Sequence, residues 1–169
     1  MKKLTALFLA SLMVLSMAAC SQEKPAETKA TEPAATTAPA EDQIQQPAED
    51  IPMQYMTPED ALTHLGEEGY VFLDVRKAED YAASHIPGAV GADMDAAKEG
   101  DFQAGVATMQ ETTKDLNETL VLICYSGKRY AQATTNVLSA LGYDMSKVYT
   151  LEGGFKAWSA AYPDEIEAN

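Results

Sequence analysis

Leu120-Val121-Leu122-Ile123 runs without a break into Cys124-Tyr125-Ser126-Gly127-Lys128-Arg129-Tyr130. The first four residues form an apolar run of the kind buried on both faces of a parallel sheet. From about Arg129 to Leu141 the spacing becomes helical: Ala133, Val137, Leu138 and Leu141 share a face, and Gly142 ends the run. A strand that feeds directly into a helix, with a thiol at the junction, predicts an α/β domain. In such sheets ligands sit beyond the carboxyl ends of the strands, where Cys124 falls.

The flanking sequence extends the same pattern. Tyr70-Val71-Phe72-Leu73-Asp74-Val75 reads as a second strand and Val148 to Leu151 as a third. Thr57-Pro58-Glu59-Asp60 is a helix start, with a hydroxyl cap, proline at the first helical position and acids in the first turn. Short helices are predicted from Ala78 to Ser84, around Phe102 to Thr113, and from Phe155 to Ala161. Strands alternating with helices imply a mostly parallel sheet. His85-Ile86-Pro87-Gly88-Ala89 reads as a turn, and Asp164 to Asn169 as a frayed, solvated end.

The ends of the 169-residue chain are of a different kind. Met1-Lys2-Lys3 and the apolar stretch Leu4 to Ala19 fall short of the ~20 residues that span a bilayer, and predict a signal peptide over residues 1–19. Leu15-Ser16-Met17-Ala18-Ala19-Cys20 resembles a bacterial lipobox, although Met17 stands where leucine is usual; cleavage after Ala18 is the alternative. The lipobox reading makes Cys20 the lipidated N-terminus, anchored by its acyl chains. Residues 20–52 are rich in Ala, Pro, Thr, Glu and Gln, a composition that cannot offset ordering entropy, and predict a disordered tether. The folded domain is expected over 53–169. The chain is therefore expected to be exported and attached to the cell membrane by its N-terminal lipid, with the domain outside the cytoplasm and acting as a monomer.

Charge narrows the partners. The chain carries 26 acidic and 12 basic residues, a net of −14. Such a field disfavours nucleic acid and anionic surfaces. Against it, Lys128 and Arg129 stand side by side where a helix begins, although cations oppose the dipole there by ~0.3–1 kcal/mol each. A spot that tolerates that cost is suited to holding negative charge. Gly127 allows successive N–H groups to turn toward one centre as an anion nest. With Cys20 lipidated, Cys124 has no partner for a disulfide. It is then either a reactive thiol or an inert strand-end cysteine.

Three motifs sharpen this choice. Leu73-Asp74-Val75-Arg76 with Glu79-Asp80-Tyr81 and His85-Ile86-Pro87-Gly88-Ala89 resembles the entry motif of the rhodanese family. Cys124-x-x-Gly127-x-Arg129 resembles its active-site loop, and Leu151-Glu152-Gly153-Gly154-Phe155-x-x-Trp158 its closing motif. The resemblance implies a three-layer rhodanese-like fold with a central, mostly parallel five-stranded sheet flanked by helices. It also implies a sulfurtransferase in which Cys124 takes a sulfane sulfur as a persulfide and passes it to a thiophilic acceptor, a small molecule or a protein thiol. Tyr125, Ser126, Gly127, Lys128, Arg129 and Tyr130 would bind a small sulfur-containing anion such as thiosulfate, or a persulfide donor. Asp74 and Arg76 would brace the neighbouring loops. No cofactor and no metal are implied.

The chain departs from the family pattern at Tyr125, where arginine is frequent, at Tyr130, where serine or threonine is common, and at Ser84, where glycine is usual. Phosphatases that share the fold need Cys-x5-Arg, whereas here the arginine lies one residue earlier, which suits sulfur better than phosphate. A non-catalytic binding module and a cysteine redox sensor, both on the outer face of the membrane, are the alternatives. Cys124→Ser separates the first of these from an enzyme.

Overall fold

A computed structural model describes residues 44–168. The expected signal peptide, Cys20 and its lipid, and the tether as far as residue 43 lie outside the described residues. Five strands, β1 (Gln54–Met56), β2 (Tyr70–Asp74), β3 (Val90–Gly91), β4 (Thr119–Ile123) and β5 (Val148–Leu151), form one sheet in the order β1-β5-β4-β2-β3. Every pairing is parallel. The sheet is thus wholly rather than mostly parallel, and β4 lies at its centre, with Leu73 opposite Leu122 and Leu122 opposite Thr150.

The helices are α1 (Pro58–Thr63), α2 (Ala78–Ala83), α3 (Asp95–Lys98), α4 (Phe102–Thr113), α5 (Arg129–Ala140) and α6 (Gly154–Ala161). Alternation along the strands sends side chains to two cores. Leu120, Leu122, Leu73 and Val75 pack with Val106 and Met109 of α4 and Val137 and Leu138 of α5. Val121, Ile123, Phe72 and Leu151 face the other way and pack with Trp158 of α6 and Ala61 of α1. Each large side chain fully buried this way contributes about 1.5–3 kcal/mol. The Thr57 hydroxyl accepts from the Asp60 N–H, as its capping position requires.

The structure departs from the sequence expectations at four places. β1 and β3 are edge strands of three and two residues, too short to show a period of two. α3 is a single turn inside a segment with no readable periodicity. Residues 44–52, expected to belong to the tether, instead form a strap on the domain. Ile44 is buried and its carbonyl accepts from Gln103 Nε2, while the Ile51 N–H donates to Asn136 Oδ1 at 3.0 Å and the Ile51 carbonyl accepts from Gln132 Nε2 at 2.8 Å. Two isoleucines and the side-chain amides of Gln103, Gln132 and Asn136 supply the burial and hydrogen bonds that the composition of 20–52 as a whole lacks. The C-terminal segment is not frayed either. His85 and Glu167 exchange backbone hydrogen bonds, and Trp158 Nε1 donates to the Glu165 carbonyl at 2.8 Å.

Candidate active site

Cys124 follows the last residue of the central strand and is only 2 % exposed. Three residues on, Gly127 takes φ +69°, and its N–H donates to Cys124 Sγ at 3.2 Å. A side chain at Gly127 would be strained at that φ, and its Cβ would come within 2.8 Å of the Leu151 carbonyl. Lys128 is the N-cap of α5 and offers no side-chain cap, so the first amides of the helix are not taken by a capping side chain.

The loop is held from behind by the start of α6. The Phe155 N–H donates to the Cys124 carbonyl at 2.7 Å and the Lys156 N–H to the Tyr125 carbonyl at 3.2 Å. In a planar trans peptide the carbonyl and the next N–H point in opposite directions. Fixing these two carbonyls toward α6 therefore turns the N–H groups of Tyr125 and Ser126 away from it. Gly153 and Gly154, at φ +71° and +62°, bring the α6 backbone this close. Their role is larger than the turn that the sequence suggested, and it is visible only once loop and helix are seen in contact.

Asp74 and Arg76 form a buried pair beside this support. Arg76 Nη2 lies 2.6 Å from Asp74 Oδ2 and Arg76 Nε 2.9 Å from Oδ1, and Nη2 also donates to the Ser84 carbonyl at 2.6 Å. The guanidinium lies 3.9 Å from the centroid of the Phe155 ring. It thus joins the entry turn to the residue whose amide holds Cys124. Removing either charge would strand the other in the interior.

Tyr125 and Tyr130 frame the loop from the other side. Their rings meet edge to face at 5.2 Å. The Tyr125 hydroxyl donates to Asp80 of α2, and the Tyr130 hydroxyl to Asp95 Oδ1 of α3 at 2.5 Å. Burial, reinforced by the Asp80 contact, pushes the Tyr125 phenol up to about 12, and burial with the Asp95 contact raises Tyr130 as well. Both hydroxyls therefore stay neutral and act as donors. Asp80 and Phe155 stand in the entry and closing motifs without a role of their own, and Asp95 lies outside all three motifs.

Ser126, Lys128 and Arg129 are exposed, and none of the ion pairs among the described residues includes either cation. No group of three or more metal-binding side chains is assembled among the described residues. His85 is buried, with Nδ1 2.9 Å from the Tyr81 carbonyl and Nε2 3.3 Å from Glu167, so it braces the entry turn.

Strands β2 to β5, with the thiol loop at the tip of the central strand, fall within residues matched by a family model: the rhodanese-like domain matches residues 57–161. The chain belongs to the rhodanese-like domain family. A curated relative, thiosulfate sulfurtransferase GlpE of Pseudomonas savastanoi pv. phaseolicola, is 37% identical over 60% of this chain and 83% of its own. GlpE of Pseudomonas putida strain GB-1 is 34% identical over 64% of this chain and 86% of its own. The crystal structure of a rhodanese-like domain protein from Staphylococcus aureus superposes with a TM-score of 0.52 at 25% identity, over 69% of this chain and 99% of that one. With such relatives the rhodanese-like chain is a sulfurtransferase enzyme.

Proposed function

We propose that the protein transfers sulfane sulfur through a persulfide on Cys124, with thiosulfate or another sulfane-sulfur compound as donor. The Cys124 thiolate attacks the outer sulfur of thiosulfate. An S–S bond forms at Sγ, the sulfur–sulfur bond of the donor breaks, and sulfite leaves with the electron pair. A thiophilic acceptor then removes the outer sulfur and returns Cys124 as thiolate, so the covalent intermediate is itself the carrier. Lys128 and Arg129 draw the anionic donor, and Tyr125, Ser126, Gly127 and Tyr130 line its path. Asp74 and Arg76 hold the loop's support in place.

The observation that carries this reading is the 3.2 Å hydrogen bond from the Gly127 N–H to Cys124 Sγ, in a loop whose carbonyls are bound to α6. Donors aimed at sulfur favour its anionic form, both as thiolate and as persulfide. Export, with a lipid on Cys20 holding a monomeric domain outside the cytoplasm, belongs to the same proposal. Mass spectrometry of the purified chain after exposure to thiosulfate or a polysulfide tests the chemistry. The expected result is a gain of one sulfur atom at Cys124, absent from Cys124→Ser. Absence of any persulfide with every sulfane donor overturns it.

A further inference from the structure

The strap of residues 44–52 lies ahead of the family match, which begins at Thr57. The strap borders an open cleft. Gln46 and Asp50 form its outer lip, Lys98 and Phe102 one wall, and Arg129 and Ala133 of α5 the other, around a cavity of about 260 Å³. The lip is pinned rather than draped. Asn136, 6 % exposed, accepts from the Ile51 N–H at 3.0 Å and donates from Nδ2 to Asp50 Oδ1 at 2.8 Å. The cleft is therefore preformed, so a ligand need not order it.

Its charges are unequal in availability. The Lys98 ammonium is engaged by Asp95 at 3.4 Å and by Glu99, while the exposed Asp50 carboxylate keeps its charge and accepts one hydrogen bond from Asn136. Arg129 has no ion-pair partner among the described residues. A planar guanidinium is matched to a carboxylate, which it binds through two parallel hydrogen bonds. The methyl of Ala133 and the ring of Phe102 suit an aliphatic stem. The volume lies just below the ~300 Å³ at which drug-sized pockets begin, so the ligand has few atoms. Arg129, which lines the cleft, also ends the motif that Cys124 opens.

We propose that this cleft holds the carboxylate end of the sulfur acceptor, a small aliphatic thiol acid, and that Arg129 is its partner; the assignment to the acceptor rests on the Cys124 persulfide reading above. The acceptor's thiolate attacks the outer sulfur of the persulfide. A bond forms between these two sulfurs, the bond to Sγ breaks, and its electron pair returns to Cys124 as thiolate. The acceptor leaves as its own persulfide, and no oxidant or reductant is consumed.

Two measurements on the full chain test this. In the first, persulfide-loaded protein is mixed with β-mercaptopropionate or with its uncharged methyl ester. A charge-assisted contact predicts a KM about tenfold lower for the acid. Arg129→Gln and Ala133→Leu, which fills the cleft, both erase that preference, while Ala133→Leu loads sulfur from thiosulfate at the wild-type rate. In the second, Cys124→Ser is titrated with the inert thioether β-(methylthio)propionate. Amide shifts confined to α5 and the strap, lost in Ala133→Leu, are expected. No preference for the acid, a preference that survives both substitutions, or shifts elsewhere each overturn the proposal. A chain that never accepts a persulfide refutes the sulfur-transfer reading alone, and the thioether titration still decides whether the cleft binds a carboxylate.

Discussion

Replacing Gly154 by alanine probes the support of the thiol loop with a single methyl group. A Cβ at this position would lie 2.3 Å from the Cys124 carbonyl oxygen, 2.6 Å from the Ser126 nitrogen and 2.8 Å from the Gly127 nitrogen. All three are backbone atoms, so no flexible side chain can give way. Ordinary contact begins at 3.4 Å, so loop and helix must separate by about 1 Å. The left-handed φ of +62° adds roughly 1–2 kcal/mol of strain and the overpacking about 1–3 kcal/mol. At roughly 4 °C per kcal/mol, the thermal midpoint should fall by about 8–20 °C.

The rate should suffer more than the fold. A displacement of about 1 Å at the reacting group costs on the order of 10²-fold in rate. Single-turnover loading of Cys124 from thiosulfate, read by mass spectrometry below the midpoint of the variant, measures this directly. Gly66→Ala is the control. It has φ +74° and nothing within 4 Å of an added Cβ, so it carries the backbone strain without the collision. It should lose about 1–2 kcal/mol and keep its loading rate. If Gly154→Ala loads sulfur as fast as Gly66→Ala, the loop is not positioned by α6.

Arg76→Met should destabilise the domain by about 3–5 kcal/mol, because it strands the wholly buried Asp74 carboxylate; chemical denaturation reads the loss, and a change near zero would show that water reaches the pair. Tyr125 ionises at about 12 in the folded chain against an ordinary 10, so its contribution to stability is complete below pH 10 and is lost as pH rises through 12. Tyr125→Phe should accordingly flatten the alkaline fall in stability over that window, and phenolate absorbance should lose one late-titrating group. Asn136→Ala removes the side chain that pins Asp50 and Ile51, and should cost about 2–3 kcal/mol while hydrogen exchange rises at Ile51, with the rest of the sheet still protected.

The central part of the fold was legible because it is written in contiguous residues. Leu120 to Ile123 could only be an interior strand, the spacing after Arg129 could only be a helix, and the thiol between them had to lie at a carboxyl edge of the sheet. β1 was not legible, because three residues with Tyr55 half exposed become a strand only by pairing with Val148–Leu151, almost a hundred residues away. The strap was misread for a related reason. The composition of residues 20–52 describes an average, whereas Ile44 is held by Gln103 of α4, and Asp50 and Ile51 by Gln132 and Asn136 of α5, which no local window includes. Gly154 marks the limit most clearly. Its sequence context, Gly153-Gly154 before a helix, is sufficient for a turn, and nothing local shows that the turn presses on the carbonyl of a cysteine thirty residues earlier. The same holds for Arg76, which binds Asp74 through neighbouring residues yet stacks on Phe155 from the far end of the chain. The loop that carries Cys124 is thus specified twice. Its own glycine and helix start give it shape, and the closing motif gives it position, so sulfur transfer should be lost by substitutions that never touch the thiol.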